Sequence, residues 1–216
     1  MNQEQQLTYN KLISKYNFNS LQKFEIRSGL QNNINVDWYA KTEFNYLQMR
    51  QIRLGLEESI DVSIYAKIEF NHEQMLQIRE GLKSKVNVNI YTKPEFDESQ
   101  MIQIYIGLKN NIDVSIYAKP KYDYMQMLQI RVGIEENLDI SLYSNSEFTW
   151  KQMNQIMRGL INNINASLYS NTEFTWKQME EIRLGLGNKI DVTLYLNPNI
   201  DWKEMRRIRL ELEGNK

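Results

Sequence analysis

Starting at Tyr39, the segment YAKTEFNYLQMRQIRLGLEESIDVSI returns every 26 residues, at Tyr65, Tyr91, Tyr117, Tyr143, Tyr169 and Tyr195. A degenerate copy begins at Ile13, and the copy at Tyr195 runs 22 residues to Lys216. A period this short constrains the fold more than any composition does. One unit is too small to close a core alone, so it must bury its apolar side chains against its neighbours. The expected organisation is an N-terminal cap segment over residues 1–12, then a single helical-repeat domain over 13–216 whose last copy serves as C-terminal cap.

With the Tyr as position 1, position 14 is Ile in all eight copies, from Ile26 to Ile208. Position 11 is Met in seven, from Met49 to Met205, and position 18 is Leu or Ile throughout. Spacings of three and four place these residues on one helical stripe, whereas a strand would need period two. Position 7 is Asn, Asp or Thr, as in Asn45, Asp97 and Thr149, and position 10 is Gln in seven copies and Glu204 in the eighth. That pair is a capping box: the cap side chain accepts the N3 amide, and the N3 side chain reaches back to the cap amide. An aromatic residue at position 6 precedes the cap and can staple onto the Met at position 11. A helix of about 12–14 residues follows, roughly 20 Å long.

A second cap stands at position 23, Asp or Asn in all seven copies that reach it, Asp61 and Asp113 among them. DVSIYA therefore reads as a helix of one and a half turns, ended by a turn that holds Pro94, Pro120 or Pro198 in three copies. Position 17 is Gly in seven copies, inside the long helix, where Gly costs roughly 1 kcal/mol against Ala. Close approach of the adjacent repeat is the expected reason. In the last copy this position becomes Glu211, within a polar helix suited to closing a stack. The fold class is all-α: an α-solenoid of about eight 26-residue repeats, each with one long and one short helix.

The pattern Y-A-x-P-x-F-[DN]-x-x-Q-M-x-x-I-R-x-G-L-x-x-x-[IL]-D-V-S resembles a short helical repeat of largely uncharacterised proteins of Firmicutes, their phages and mobile elements. It covers about nine-tenths of the chain. The resemblance implies one functional expectation: an inhibitor or adaptor that binds host machinery, such as a defence system, stoichiometrically.

Composition narrows the chemistry. Without Cys, a thiolate metal site, a disulfide framework and a Cys nucleophile are excluded, and a His-based triad could draw only on His72. His72 sits at position 8, where other copies carry Tyr46, Tyr124 or Trp150, with no partner to activate it. The acidic residues recur at cap and surface positions. No enzyme, cofactor or metal site is expected. The opening MNQEQQLTYN is polar and no apolar run approaches a membrane span, so a cytoplasmic protein without membrane contact is expected.

Two side-chain ladders remain. Arg recurs at position 15 (Arg27, Arg53, Arg79, Arg131, Arg183, Arg209), and the expected partner is the recurrent Glu at position 5 (Glu43, Glu69, Glu95, Glu147, Glu173). Trp150, Lys151, Trp176, Lys177, Trp202 and Lys203 form a second series, suited to a single-stranded nucleic acid by stacking and phosphate contact. The charge balance opposes that use: residues 1–108 carry 12 basic and 13 acidic groups, and 109–216 carry 14 of each.

A protein-binding face is the leading expectation, because solenoids expose long faces built from successive helices. Positions 9, 12 and 16 lie across the helix from the apolar stripe and are mostly polar towards the chain ends. In the middle copies they turn apolar: Leu76, then Ile102 and Ile106, then Met125, Leu128 and Val132, with Tyr105 replacing a ladder Arg and Tyr124 beside Met125. Clustered apolar residues on a nominally solvated face mark a partner or homodimer contact. The rival is packing of positions 12 and 16 on the neighbouring long helix. The alternatives to protein binding are the nucleic-acid ladder and a self-assembling structural protein.

Overall fold

The computed structural model of the chain describes residues 1–214 and is all-helical, an α-solenoid of about eight repeats. It forms two compact units, Met1–Asn110 and Asn111–Lys216. The first unit holds α1 (Gln3–Lys15), α2 (Ser20–Gln31), α3 (Tyr46–Glu57), α4 (His72–Lys83) and α5 (Glu98–Lys109), each packed on the next. Short 3-10 turns at Val36–Trp38, Val62–Ile64 and Val88–Ile90 join the helices from α2 onward. The second unit holds α6 (Tyr124–Glu135), α7 (Trp150–Ile161), α8 (Trp176–Gly187) and α9 (Trp202–Gly214), again packed in succession. Its 3-10 turns are Val114–Ile116, Ile140–Leu142, Ala166–Leu168 and Val192–Leu194.

The capping chemistry sets the helix starts. Asn19, Asn45, Asn71 and Asp97 in the first unit, and Asp123, Thr149 and Thr175 in the second, each close a full capping box with the Gln three residues on. Asn2 and Gln5 close one on α1 as well. The long helices then run 12 residues from α2 to α8, within the expected length. Each of α2, α3, α4, α6, α7 and α8 ends in a Schellman motif. In α4, Lys85 N–H donates to the Leu82 carbonyl at 3.0 Å and Val86 N–H to the Gly81 carbonyl at 3.1 Å. The residue that makes the turn is left-handed and is never Gly: Asn33, Ser59, Lys85, Asn111, Asn137, Asn163 and Lys189 have φ of 54–58°.

The short helix is tighter than its sequence suggests. It is a single three-residue 3-10 turn, because Tyr65 N–H already donates to the Val62 carbonyl at 3.0 Å. Asp61 caps it by accepting from Ser63 N–H at 3.0 Å.

The core is repeated with little variation. Met at position 11 and Tyr at position 1 are fully buried in every copy that carries them, as is Ile at position 14 up to Ile182; Ile208 is half-buried. Position 18 is mostly half-buried. Within each unit, two contacts bind one copy to the next. The Gln that closes the capping box also donates its Nε2 to the carbonyl 22 residues on: Gln48 to Phe70, Gln74 to Phe96, and Gln152 to Phe174, all at 2.7 Å. The second contact explains the buried Gly. A Cβ on Gly55, Gly81 or Gly159 would stand 1.8–1.9 Å from the hydroxyl of Tyr65, Tyr91 or Tyr169, ten residues later. The backbone there is ordinary helix, so the requirement is steric: the Tyr that opens the next copy lies across the helix where a side chain would be. Burial pushes these phenols well above their usual range, so at neutral pH the hydroxyl is a donor, as from Tyr39 to the Glu25 carbonyl at 3.1 Å.

Candidate binding surfaces

The Arg ladder is buried into the stack and does not pair with position 5. Glu43, Glu69 and Glu95 in the first unit, and Glu147 and Glu173 in the second, are exposed in the loop ahead of each helix. The guanidinium instead faces the preceding long helix, one repeat and two residues back. Arg53 Nε bonds Glu25 at 2.8 Å and its Nη1 bonds Glu57 at 2.6 Å. Arg79 meets Gln51 at 3.3 Å, Glu58 at 2.6 Å and Glu80 at 3.1 Å. In the second unit Arg131 pairs with Glu135 at 2.6 Å, and Arg209 with Glu181 at 2.8 Å and Glu213 at 2.7 Å. Arg27, near the start, is exposed and lies over the Tyr9 ring. The signal that locates the acceptors within the preceding long helix is position 13, which is Glu or Gln from Glu25 to Glu181.

The apolar candidates fall four to each unit. In the first, Leu76, Ile102, Tyr105 and Ile106 are half-buried. Tyr105, standing where Arg recurs, shares a 3.0 Å hydrogen bond with the Ser84 hydroxyl, 21 residues back, the same step that takes Arg79 to Glu58. Lys109 lies over its ring. In the second unit Tyr124 is 44% exposed, while Met125, Leu128 and Val132 are half-buried. Positions 12 and 16 are thus partly covered and partly open to water.

The Trp/Lys series is an interleaved cation–π stack within the second unit. Lys151 Nζ lies 5.5 Å from the Trp150 ring and 5.3 Å from that of Trp176. Lys177 lies 5.6 Å from Trp176 and 4.4 Å from Trp202, and Lys203 5.9 Å from Trp202. Each ammonium therefore sits against indole faces, an arrangement worth about 0.5–2 kcal/mol per contact. Trp176 and Trp202 each have two Lys against the ring, whereas Trp150 has one.

One apolar row is missing from the sequence-derived candidates. Position 26, the last residue of each 3-10 turn, is apolar in all seven copies that reach it. Trp38 in the first unit, and Leu168 and Leu194 in the second, are exposed. Leu21 and Phe24, at positions 9 and 12 of the degenerate copy, are exposed too. Both follow from the repeat numbering, since neither position lies on the buried stripe.

His72 is half-buried at the first residue of α4. Among the described residues no group of three or more His, Asp or Glu is arranged to hold a metal ion, and no helix is long and apolar enough to cross a membrane. Compared with known proteins, the chain matches no family model, no curated protein and no solved structure.

Proposed function

We propose that this chain is a non-enzymatic protein-binding solenoid that acts by stoichiometric binding. The observation that carries the reading is the division of labour within the repeat. Positions 1, 10, 11, 14 and 17 are spent on stacking and barely change, whereas positions 9, 12 and 16 change from copy to copy and hold apolar residues still partly open to water. Leu76, Ile102 and Ile106 on the first unit, and Tyr124, Met125 and Leu128 on the second, supply the contacts. The resemblance to phage and mobile-element repeats makes host machinery, including defence systems, the first partner class to test, in the cytoplasm.

The test compares wild type with the Ile102→Lys/Leu128→Lys variant in capture from host extract, sedimentation and circular dichroism. A protein partner, or a homodimer, held by wild type and lost in a variant of unchanged helicity supports the proposal. A variant that unfolds, or that binds as before, assigns these residues to the core. Single-stranded oligonucleotides are expected to bind no tighter than millimolar at physiological salt. Micromolar affinity that falls steeply with salt and vanishes in the Lys151→Glu/Lys177→Glu/Lys203→Glu variant would replace the proposal with the nucleic-acid reading.

A further inference from the structure

Arg183, on α8, departs from Arg53, Arg79, Arg131 and Arg209 of its ladder. It is 7% exposed, and its Nε donates to Gln155 Oε1 at 2.9 Å, a neutral acceptor. Arg53, Arg79, Arg131 and Arg209 each meet at least one carboxylate, drawn from four repeat positions. Around Arg183 those same four positions are Gln155, Asn162, Leu184 and Gly187. All are neutral, and no carboxylate pairs with Arg183 among the described residues. Gly187 is the telling exchange. It stands four residues after the Arg, where Glu57, Glu135 and Glu213 reach back to theirs at 2.6–2.7 Å. Gly187 lies in the wall of an open cavity of about 650 Å³, shared with Arg183, Asn162, Asn163 and Ile164 among others.

The geometry points to a carboxylate-binding site in this cavity, with Arg183 as its anchor and the ligand's carboxylate in the place of the absent Glu. The fork of a guanidinium matches a carboxylate bidentately, and a buried guanidinium without a counter-charge is costly, so an entering carboxylate gains from both. The end of α7 borders the site, and three of its last four carbonyls already accept hydrogen bonds, Arg158 from Asn162 Nδ2 at 2.7 Å, Gly159 from Ile164 N–H at 2.9 Å and Leu160 from Asn163 N–H at 3.0 Å, which lessens their opposition to an anion. Nearby charge is mixed. Arg158 disfavours the charged form of Arg183 after burial does, and Glu180 favours it without forming an ion pair. The site stands independently of the protein-binding proposal: a partner's acidic side chain and a free small diacid carry the same group.

The test titrates nitrogen-15-labelled full-length protein with N-acetylglutamate N-methylamide, with succinate, and with inorganic phosphate, at constant ionic strength. Saturable shifts of the Asn163 and Lys189 amides with either carboxylate are expected, and their loss in Arg183→Gln. The tighter of the two probes tells a side-chain source from a free acid. Gly187→Glu supplies the carboxylate internally, so it should abolish the shifts and melt above Gly187→Gln, which matches it in size and helix propensity. Its Cβ would meet only the flexible end of Ile164, at 3.3 Å, so the variant fits the site. Absent shifts, shifts that survive Arg183→Gln, tighter binding of phosphate than of both carboxylates, or equal melting of the two Gly187 variants would each overturn the assignment.

Discussion

Replacing Gly81 by Ala sets two principles against each other. Helix propensity alone predicts a gain of about 1 kcal/mol. The stack predicts a loss, because the new methyl would stand 1.8 Å from the Tyr91 hydroxyl and 2.7 Å from Val88 Cγ1. An ordinary contact needs roughly 3.4 Å or more, so the ring must retreat by more than an ångström in a site where it is fully buried. Overpacking of that kind costs about 1–3 kcal/mol. Pulling the hydroxyl off the Gln77 carbonyl, 3.3 Å away, strands a buried donor for about 1–3 kcal/mol more. The expected net loss is about 2–4 kcal/mol. Tyr91→Phe alone should lose only about 0.5–1 kcal/mol, since the Gln77 carbonyl is already an intrahelical acceptor. The double variant Gly81→Ala/Tyr91→Phe should then lie within about 1 kcal/mol of Tyr91→Phe, a favourable coupling of about 2 kcal/mol. Urea unfolding followed by circular dichroism, with hydrogen exchange across residues 72–91 as a local probe, measures all four proteins. Gly81→Ala as stable as wild type, or a double variant no better than the sum of its parts, would falsify the claim that Gly is present to admit the Tyr.

Gln74→Glu keeps the oxygen that accepts from Asn71 N–H at 2.8 Å but loses the Nε2 donor to the buried Phe96 carbonyl, so it should cost about 1–3 kcal/mol in thermal unfolding, whereas Glu204→Gln should change little. Lys85→Gly should stabilise by about 0.5–1 kcal/mol, measured by denaturant midpoint, because φ is 58° there and only Gly adopts that region without strain. Glu58 is held below the usual carboxylate value by its hydrogen bonds to Lys83 first and Arg79 next, against an opposing effect of burial. Its contribution is therefore present above the unfolded value and lost as pH falls through the folded one. Glu58→Gln should be less stable than wild type at pH 7 by a few tenths of a kcal/mol, with the difference fading in acid titrations that pass below the usual carboxylate range.

Features internal to one helix were legible in the sequence. Asn71, Gln74, Met75 and Ile78 state a cap, a box and a stripe within eight residues, and each takes the place its spacing predicts. Relations between copies were less so. The recurrence of Gln at position 10 looked complete as a capping box, yet Asn71 needs only its oxygen; the nitrogen, reaching a carbonyl 22 residues away, accounts for Gln over Glu. The Gly showed that something approaches closely, but not that a Tyr hydroxyl does. Recurrence alone pairs the Arg with Glu at position 5. Position 5 precedes the helix in a solvated loop, whereas position 15 lies on its third turn against the preceding helix, whose position 13 is the acceptor within reach. The apolar candidates at positions 12 and 16 fall between core and surface, because a helix packed on neighbours at both sides leaves few faces wholly open.

A repeat array with near-identical cores faces a problem of identity. Met at position 11, Ile at 14 and Tyr at 1 are the same in copy after copy, so slipping one helix past its neighbour by 26 residues would re-form nearly the same apolar contacts. The hydrophobic effect is blind to that slip. The polar rail beside the core is not. In the first unit Arg53 requires Glu25, Arg79 uses Gln51 and Glu58, and Tyr105 takes the hydroxyl of Ser84. In the second, Arg183 uses Gln155 and Arg209 requires Glu181. Exchanging neighbours would set Arg53 or Arg209 on a neutral Gln, with Glu57 or Glu213 its remaining carboxylate, or set Glu25 or Glu181 against Tyr105 or Met157 and leave it buried without a cation, at about 3–5 kcal/mol for a broken buried pair. A correctly formed pair contributes far less than that to net stability, since desolvation offsets most of its attraction. The rail therefore acts chiefly against the wrong neighbour, and its variation along the chain is what distinguishes one copy from the next.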